Sequence, residues 1–320
     1  MNYKKLAELT HVSVSTVSKA FSGSSEINDE TRNEIFNTAK KYGCFDKYYK
    51  NKFTKKVIAV LCPEFCSSHY SAYAENIQKI ISSRNDVAVF SSTNFDISLK
   101  DYLLDYYATY AKVDGIILID NHYEKNACRY SVPIVVIGSG DNADSVSTSC
   151  NFGMNEAFAY LKGFGHRDIC FIGERLTLTK EAAFLKAFAS CNPRIIHSEK
   201  RFEEAGLDCA EKFLAYEKKP TAVIAAYDDI AIGFINALKR SGISIPADVS
   251  VIGIDNIPQS KYQETPLTTI DFKVNEATAA ALDILYQKIE HPTVTEQRAI
   301  SITPQLIKRE TVTFPKDKLQ

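Results

Sequence analysis

Ten residues near the start of the chain carry its first chemistry: Val12-Ser13-Val14-Ser15-Thr16-Val17-Ser18-Lys19-Ala20-Phe21. At helical spacing they put small hydroxyl side chains on one face and apolar ones on the other. Hydroxyls and a lysine on one helix face can bind phosphates and the edges of bases. Val14, Ser15 and Lys19 are the base-reading candidates. Lys19 donates to guanine O6/N7, Ser15 donates or accepts, and Val14 meets a thymine methyl or excludes water. Ser13, Thr16, Ser18 and Thr31 suit phosphate contacts, which fix register without reading sequence. The competing assignment is a helical hairpin that uses its Ser and Thr only as caps.

The elements that must present these groups are legible nearby. A short helix over about Lys4 to Leu9 precedes the tight link Thr10-His11-Val12, so the pair reads as a helix-turn-helix, with its second helix destined for the DNA major groove. Ser13 is placed as the cap of that helix. Asn28 as cap, Asp29 and Glu30 in the first turn and Gly43 at the end predict a third helix, with Ile35, Phe36, Ala39 and Tyr42 as its core face. Leu6, Leu9, Val12, Val17 and Phe21 supply the facing apolar surface. Charge agrees: residues 1–56 hold eleven Lys/Arg against six Asp/Glu, a net of +5, whereas the whole chain is −1. A basic head on an acidic body suits a polyanion at the head, through phosphate neutralisation and counterion release. On charge alone, a solvated lysine-rich linker is the alternative.

From Val57 onward, apolar strands alternate with amphipathic helices. The strands read as Val57–Leu61, Val87–Ser91, Gly115–Asp120, Pro133–Gly138, Ile169–Gly173, Arg194–Ser198, Ala222–Ala226 and Ser250–Asp255. Helices fall at about Tyr70–Arg84 (with Tyr73, Ile77, Ile80 and Ile81 on one face), Phe152–Gly163, Thr179–Ala189, Glu203–Ala215 and Asp229–Arg240. Continuous apolar strands between helices imply parallel sheets covered on both faces. Two successive sets of this length fit two subdomains better than one sheet. In open α/β sheets, ligands sit beyond the strand C-termini. The polar groups gather there, at Glu174, Tyr227-Asp228 and Asp255-Asn256.

The head resembles the LacI/GalR family of bacterial repressors in Leu6-Ala7, in Val12-Ser13-x-x-Thr16-Val17-Ser18-Lys19 and in Thr31-Arg32. The resemblance continues in Val113-Asp114-Gly115-Ile116-Ile117, Gly165-His166-Arg167-Asp168-Ile169, Asp248-Val249-Ser250-Val251-Ile252-Gly253, Pro266-Leu267-Thr268-Thr269-Ile270 and Gln305-Leu306-Ile307-Lys308-Arg309-Glu310. It implies a small all-α helix-turn-helix head plus an α/β body, with two-lobed, periplasmic-binding-protein-like (type I) parallel sheets and a ligand between the lobes. The implied parts are a head at 1–46, a linker at 47–56, a first lobe at 57–158 with 272–298, and a second lobe at 159–271 with 299–314. The crossovers would fall near 156–160, 268–274 and 298–304. Family members follow the head with a hinge, Tyr-x-Pro-Asn…Ala-Arg-x-Leu, whose Leu wedges into the minor groove. Here Cys44–Thr54 lacks that pattern, and Phe53 is either the wedge or a linker residue packed on the body.

The resemblance also implies effector-binding positions. Lys180 stands where the family has a sugar-clamping Arg, and a Lys loses the planar fork of Arg. Tyr227 replaces the usual Asn, Ser or Thr before Asp228. Asp255 keeps a ligand acid, and Tyr70 matches an aromatic lining the cleft. Each also has a plainer assignment: Lys180 as a solvated helix residue, Tyr227 as packing, Asp255 as a turn after a strand, Asp228 as a helix cap. A carbohydrate effector, double-stranded DNA with a pseudo-palindromic operator, and a homodimer with two heads are the implied partners.

Other function classes fare worse. There is no Walker A, no Gly-x-Gly-x-x-Gly, no nucleophile elbow and no metal-binding helix, so no enzyme is expected. The eight cysteines are scattered, and no Cys/His set completes a zinc site, so no metal or cofactor is expected. No apolar leader and no apolar run long enough to span a membrane are present, which points to the cytoplasm and against a stand-alone solute-binding protein. An effector-independent regulator with a degenerate pocket is the main alternative.

Overall fold

The computed structural model describes residues 2–45, 48, 54–123 and 130–316. The chain forms two compact units, Met1–Val57 with Asn85–Val87, and Ile58–Arg84 with Ala88–Gln320.

The first unit holds three helices, α1 (Tyr3–Leu9), α2 (Val14–Ser22) and α3 (Asp29–Lys41). Each starts on a polar side chain that accepts an otherwise unpaired backbone N–H: Asn2 from Lys5, Ser13 from Thr16 and Asn28 from Thr31, at 2.9, 2.9 and 2.7 Å. Gly23, at φ +75°, ends α2 in the left-handed region where a side chain would be strained. Arg32 then ties the next loop down, donating to Ser24 O at 2.6 Å and Ile27 O at 3.1 Å. Leu6, Val17, Phe21, Ile35 and Ala39 meet in one core, with Val12 and Phe36 against it. Tyr42, expected on that core face, is instead 49% exposed, because it is the cap residue where the last helical turn ends.

The second unit contains two six-stranded sheets. The first lobe is built from β1 (Val57–Cys62), α4 (Ser68–Ser83), β2 (Val87–Ser92), α5 (Ile97–Asp105), a π-helical turn (Tyr106–Tyr110), β3 (Gly115–Tyr123), β4 (Ile134–Gly140) and β5 (Asp144–Thr148). The second lobe takes α6 (Cys150–Phe164), β6 (Asp168–Glu174), α7 (Leu178–Ala187), β7 (Asn192–Ser198), α8 (Phe202–Leu214), β8 (Ala222–Ala225), α9 (Asp228–Arg240), β9 (Ser250–Ile254), α10 (Pro258–Lys261) and β10 (Thr268–Asp271). The chain then returns to the first lobe with α11 (Val274–Glu290) and β11 (Ala299–Ile302), and ends in the second with β12 (Gln305–Ile307). The strand orders are β11-β5-β4-β3-β1-β2 and β12-β10-β9-β8-β6-β7. All registers described for the first sheet are parallel. In the second sheet only β12 runs antiparallel, on β10.

Two lobe boundaries differ from the sequence expectation. Residues 299–302 belong to the first sheet, because Ala299–Ile302 pair with Ser145–Thr148. α6 belongs wholly to the second lobe, since its Met154, Ala157 and Leu161 enter that lobe's core. The crossovers therefore lie at the loops after β5, β10 and β11, the first of them earlier than expected. Helices α8 and α9 lie unusually close. A Cβ on Gly206 would stand 2.2 Å from Ile230 O, and one on Gly233 2.2 Å from Glu203 O. His166 is buried and bonded on both ring nitrogens, to Thr221 Oγ1 at 2.9 Å and Thr313 O at 2.8 Å.

Candidate functional site

In α2, Val17, Ala20 and Phe21 are buried, whereas Val14, Ser15 and Ser18 are exposed. Val14 is 46% exposed, a large apolar side chain in water at the helix start. Lys19 shares a face with Ser15 and Ser18 and forms an ion pair with Glu26 in the loop after α2. Ser13 is occupied as the cap, and its Oγ lies 2.8 Å from Thr16 Oγ1. Thr31 is half-buried in the first turn of α3, its N–H given to Asn28. The expected readers thus share one exposed face, while Ser13 and Thr16 are partly engaged with each other. Phe53 lies outside the described residues.

The second site is the cleft between the two lobes, a cavity of about 400 Å³. Tyr70, Lys180, Tyr227 and Asp255 all line it. Tyr70 comes from the first turn of α4 and Lys180 from the first turn of α7; Tyr227 and Asp255 stand just past the C-terminal ends of β8 and β9. Lys180 Nζ donates to Ala226 O at 2.8 Å and to Asp255 Oδ1 at 3.3 Å. It sits 5.7 and 5.6 Å from the ring centres of Tyr227 and Phe272, within cation–π range. His69 Nδ1 of the first lobe approaches the same Asp255 oxygen at 3.1 Å. Burial pushes the Asp255 carboxyl up, but Lys180 and His69 outweigh it and hold the pKa at about 2. The backbone of Asp255 is at φ +102° and that of Asn256 at +52°, left-handed conformations that cost a non-glycine residue energy and cluster at ligand sites.

Asp228 turns away from this task. Fully buried, it accepts from Thr269 Oγ1 at 2.6 Å and Ile257 N at 3.0 Å, bracing the loop that carries Asp255. Asp228 is thus structural, but not as the helix cap expected: Tyr227 holds the cap position, without a side-chain bond, and the Asp228 carboxylate serves the loop after β9 instead. Tyr227 does more than pack: its hydroxyl accepts from Phe202 N at 3.1 Å and donates to Glu174 Oε1 at 3.3 Å. Burial is the main cause that raises its phenol pKa.

The site also contains residues that sequence reasoning missed. Arg201, just before α8, grips Glu64 of the first lobe with both terminal nitrogens, at 2.7 and 2.8 Å. Burial raises the Glu64 carboxyl, yet the Arg201 contact brings it below its ordinary value. Phe95, Phe202 and His69 complete the wall. Glu64 had a usable signal, a carboxylate just past the end of β1. Arg201 and His69 had none, because only the approach of the lobes brings them to the cleft. Among the described residues, no cluster of His, Cys, Asp and Glu is arranged to hold a metal, and no helix is long and apolar enough to cross a membrane.

Known proteins resemble this chain in sequence and fold. Residues 158–312 match the periplasmic binding protein-like domain. The HTH-type transcriptional repressor PurR of Histophilus somni (strain 129Pt) is 29% identical over 332 residues, spanning 97% of this chain and 98% of its own. A LacI family transcriptional regulator from Enterococcus faecalis V583, solved with bound ribose, has a TM-score of 0.68 at 21% identity, over 81% of this chain and 99% of its own. A LacI family regulator from Silicibacter pomeroyi reaches 0.75 at 19% identity, over 98% of this chain and 99% of its own. The two structures share the fold, and the repressor relative runs the length of both units. With a capped helix-turn-helix in one unit and a two-lobed cleft in the other, the chain is similar along both units to a PurR-type repressor and shares its fold with LacI family regulators.

Proposed function

We propose that this protein is a transcriptional repressor that reads a pseudo-palindromic operator with the exposed face of α2 and is controlled by a small molecule held between its lobes. One observation carries the reading: an exposed Val14-Ser15-Ser18 face, with Lys19 beside it paired only to a loop carboxylate, and a polar–aromatic cleft occur on one chain. Val14, Ser15 and Lys19 read bases; Ser13, Thr16, Ser18 and Thr31 contact phosphates. The protein acts as a homodimer, because two heads match a two-fold operator, and it works in the cytoplasm, where its DNA is. The effector is a sugar or a sugar-like polar molecule, held by stacking on Tyr70 and Tyr227 and by hydrogen bonds to Lys180 and Asp255. No catalytic step is proposed.

Selection from random duplex DNA with the full-length protein tests the reading. One enriched inverted repeat supports a dimeric sequence reader. Salt-sensitive binding without a motif would leave only phosphate attraction and refute it.

A second reading is favoured by the cleft's own pairing. Lys180 is already engaged by Asp255, and Arg201 by Glu64, so a regulator that needs no effector is the competitor. Thermal shift against a panel of neutral sugars and nucleosides separates the two, because a ligand that binds only the folded state must stabilise it.

A further inference from the structure

Among the described residues, polar contacts that join the lobes across the cleft include Arg201 to Glu64, His69 to Asp255, and Ser68 Oγ to Asp229 Oδ1 at 3.1 Å. The first is of a different kind. Its fork is bidentate, and the two side chains are only 28% and 10% exposed. The guanidinium carbon also stands 4.6 Å from the ring centre of Phe202, in its own lobe, and 5.9 Å from that of Phe95, in the other. A second carboxylate, Glu174 of the second lobe, lies 3.6 Å from Arg201 Nε.

We propose that Arg201 and Glu64 are positioning residues that clasp the two lobes, so that the closure of the effector cleft is set by a side-chain pair of the protein itself. The inference rests on reading the cleft as the effector site, but it concerns the lobes and is testable with no ligand. A bidentate pair shielded from water is worth far more than an exposed one, and it exists only when the lobes are together. Removing one partner strands the other charge in a shielded place. Opening the cleft relieves that cost, because water then reaches the stranded group. The two removals are not equal. Without Glu64, Arg201 still has Glu174 on its own lobe. Without Arg201, Glu64 and Glu174 face each other from opposite lobes with no cation between them.

Hydrogen exchange read by mass spectrometry on the full chain tests this. In Arg201→Gln, backbone amides of residues 64–70 and 200–203 should exchange at least several-fold faster. Glu64→Gln should show a smaller rise, and strands β8 and β9 should stay as protected as in the parent. Glu64→Asp keeps the charge but shortens the reach, and should raise exchange at the same segments while melting like the parent. Unchanged exchange at the cleft edge in all three would overturn the proposal. So would a uniform rise through both lobes, since that reports lost stability and not an opened clasp. A failed ligand panel leaves these outcomes untouched, so the two readings fail separately.

Discussion

Asp229, 8% exposed at the start of α9, accepts from Ser68 across the cleft; burial, then repulsion by Glu203, raises its pKa to about 6 from 3.8. In the unfolded chain the group ionises near pH 4, whereas in the folded chain it keeps its proton to about 6. Its contribution to stability is therefore lost as pH rises through that window and stays lost above it. Asp229→Asn removes the penalty and can still accept from Ser68. It should stabilise the protein by on the order of 2 kcal/mol at neutral pH and by little near pH 4. Melting curves at the two pH values check this; equal gains at both would show that the proton is not retained. Asp255 has the opposite sign. Lys180 and His69 hold it at about 2, so its contribution is present above its ordinary pKa and lost as pH falls toward 2. At the head, Lys19→Ala should weaken operator binding and relax preference at one base pair, whereas Ser18→Ala should weaken all sequences alike. Binding titrations on matched and single-base-altered duplexes distinguish a reader from a phosphate contact.

Helices α8 and α9 cross where each presents a glycine to the other's backbone. Gly206→Ala puts a methyl 2.2 Å from Ile230 O, and backbone cannot rotate aside as a side chain can. The cost should reach or exceed the roughly 1–3 kcal/mol typical of overpacking, seen as a fall in the melting temperature. Gly163→Ala, with nothing near its Cβ position, should leave the melt nearly unchanged or raise it. Ser13→Ala should cost about 1 kcal/mol of helix stability through the lost cap. These elements also show what the sequence made legible. The eight strands read from the sequence are all present; six are interior and apolar on both faces, as buried parallel strands must be, while β2 and β7 are sheet edges. The strands over 144–148, 268–271, 299–302 and 305–307 were not among them. β11 and β12 are sheet edges, and β11 is almost entirely exposed, so no apolar run marks it. β5 alternates Ser and Val beside that edge. The cleft was legible in Lys180, Tyr227 and Asp255, which sit where strands end or helices begin. It was illegible in His69 and Arg201, whose roles arise from the approach of distant segments. No spacing in the chain encodes a partner more than a hundred residues away.

At the scale of the whole molecule, both lobes are discontinuous in sequence. The first sheet takes an edge strand from Ala299–Ile302, after two crossings between the lobes, and the second from Gln305–Ile307, after a third. The closing segment is stitched in further by Val251 N to Thr311 O at 2.8 Å and by His166 to Thr313 O at 2.8 Å. Ending the chain before 299 should therefore cost both lobes rather than trim one. The expected result is a single broad loss of protection on limited proteolysis, in place of one surviving fragment. The same topology governs how the protein is made. Domains that are continuous in sequence can fold one after another as they leave the ribosome. Here the first lobe waits, with its sheet edge bare, while the whole second lobe is synthesised. For most of its time on the ribosome the nascent chain offers open strand edges and uncovered apolar faces, the features through which chains aggregate. Its yield in a cell should thus depend on translation speed and chaperone supply more than its finished stability would suggest.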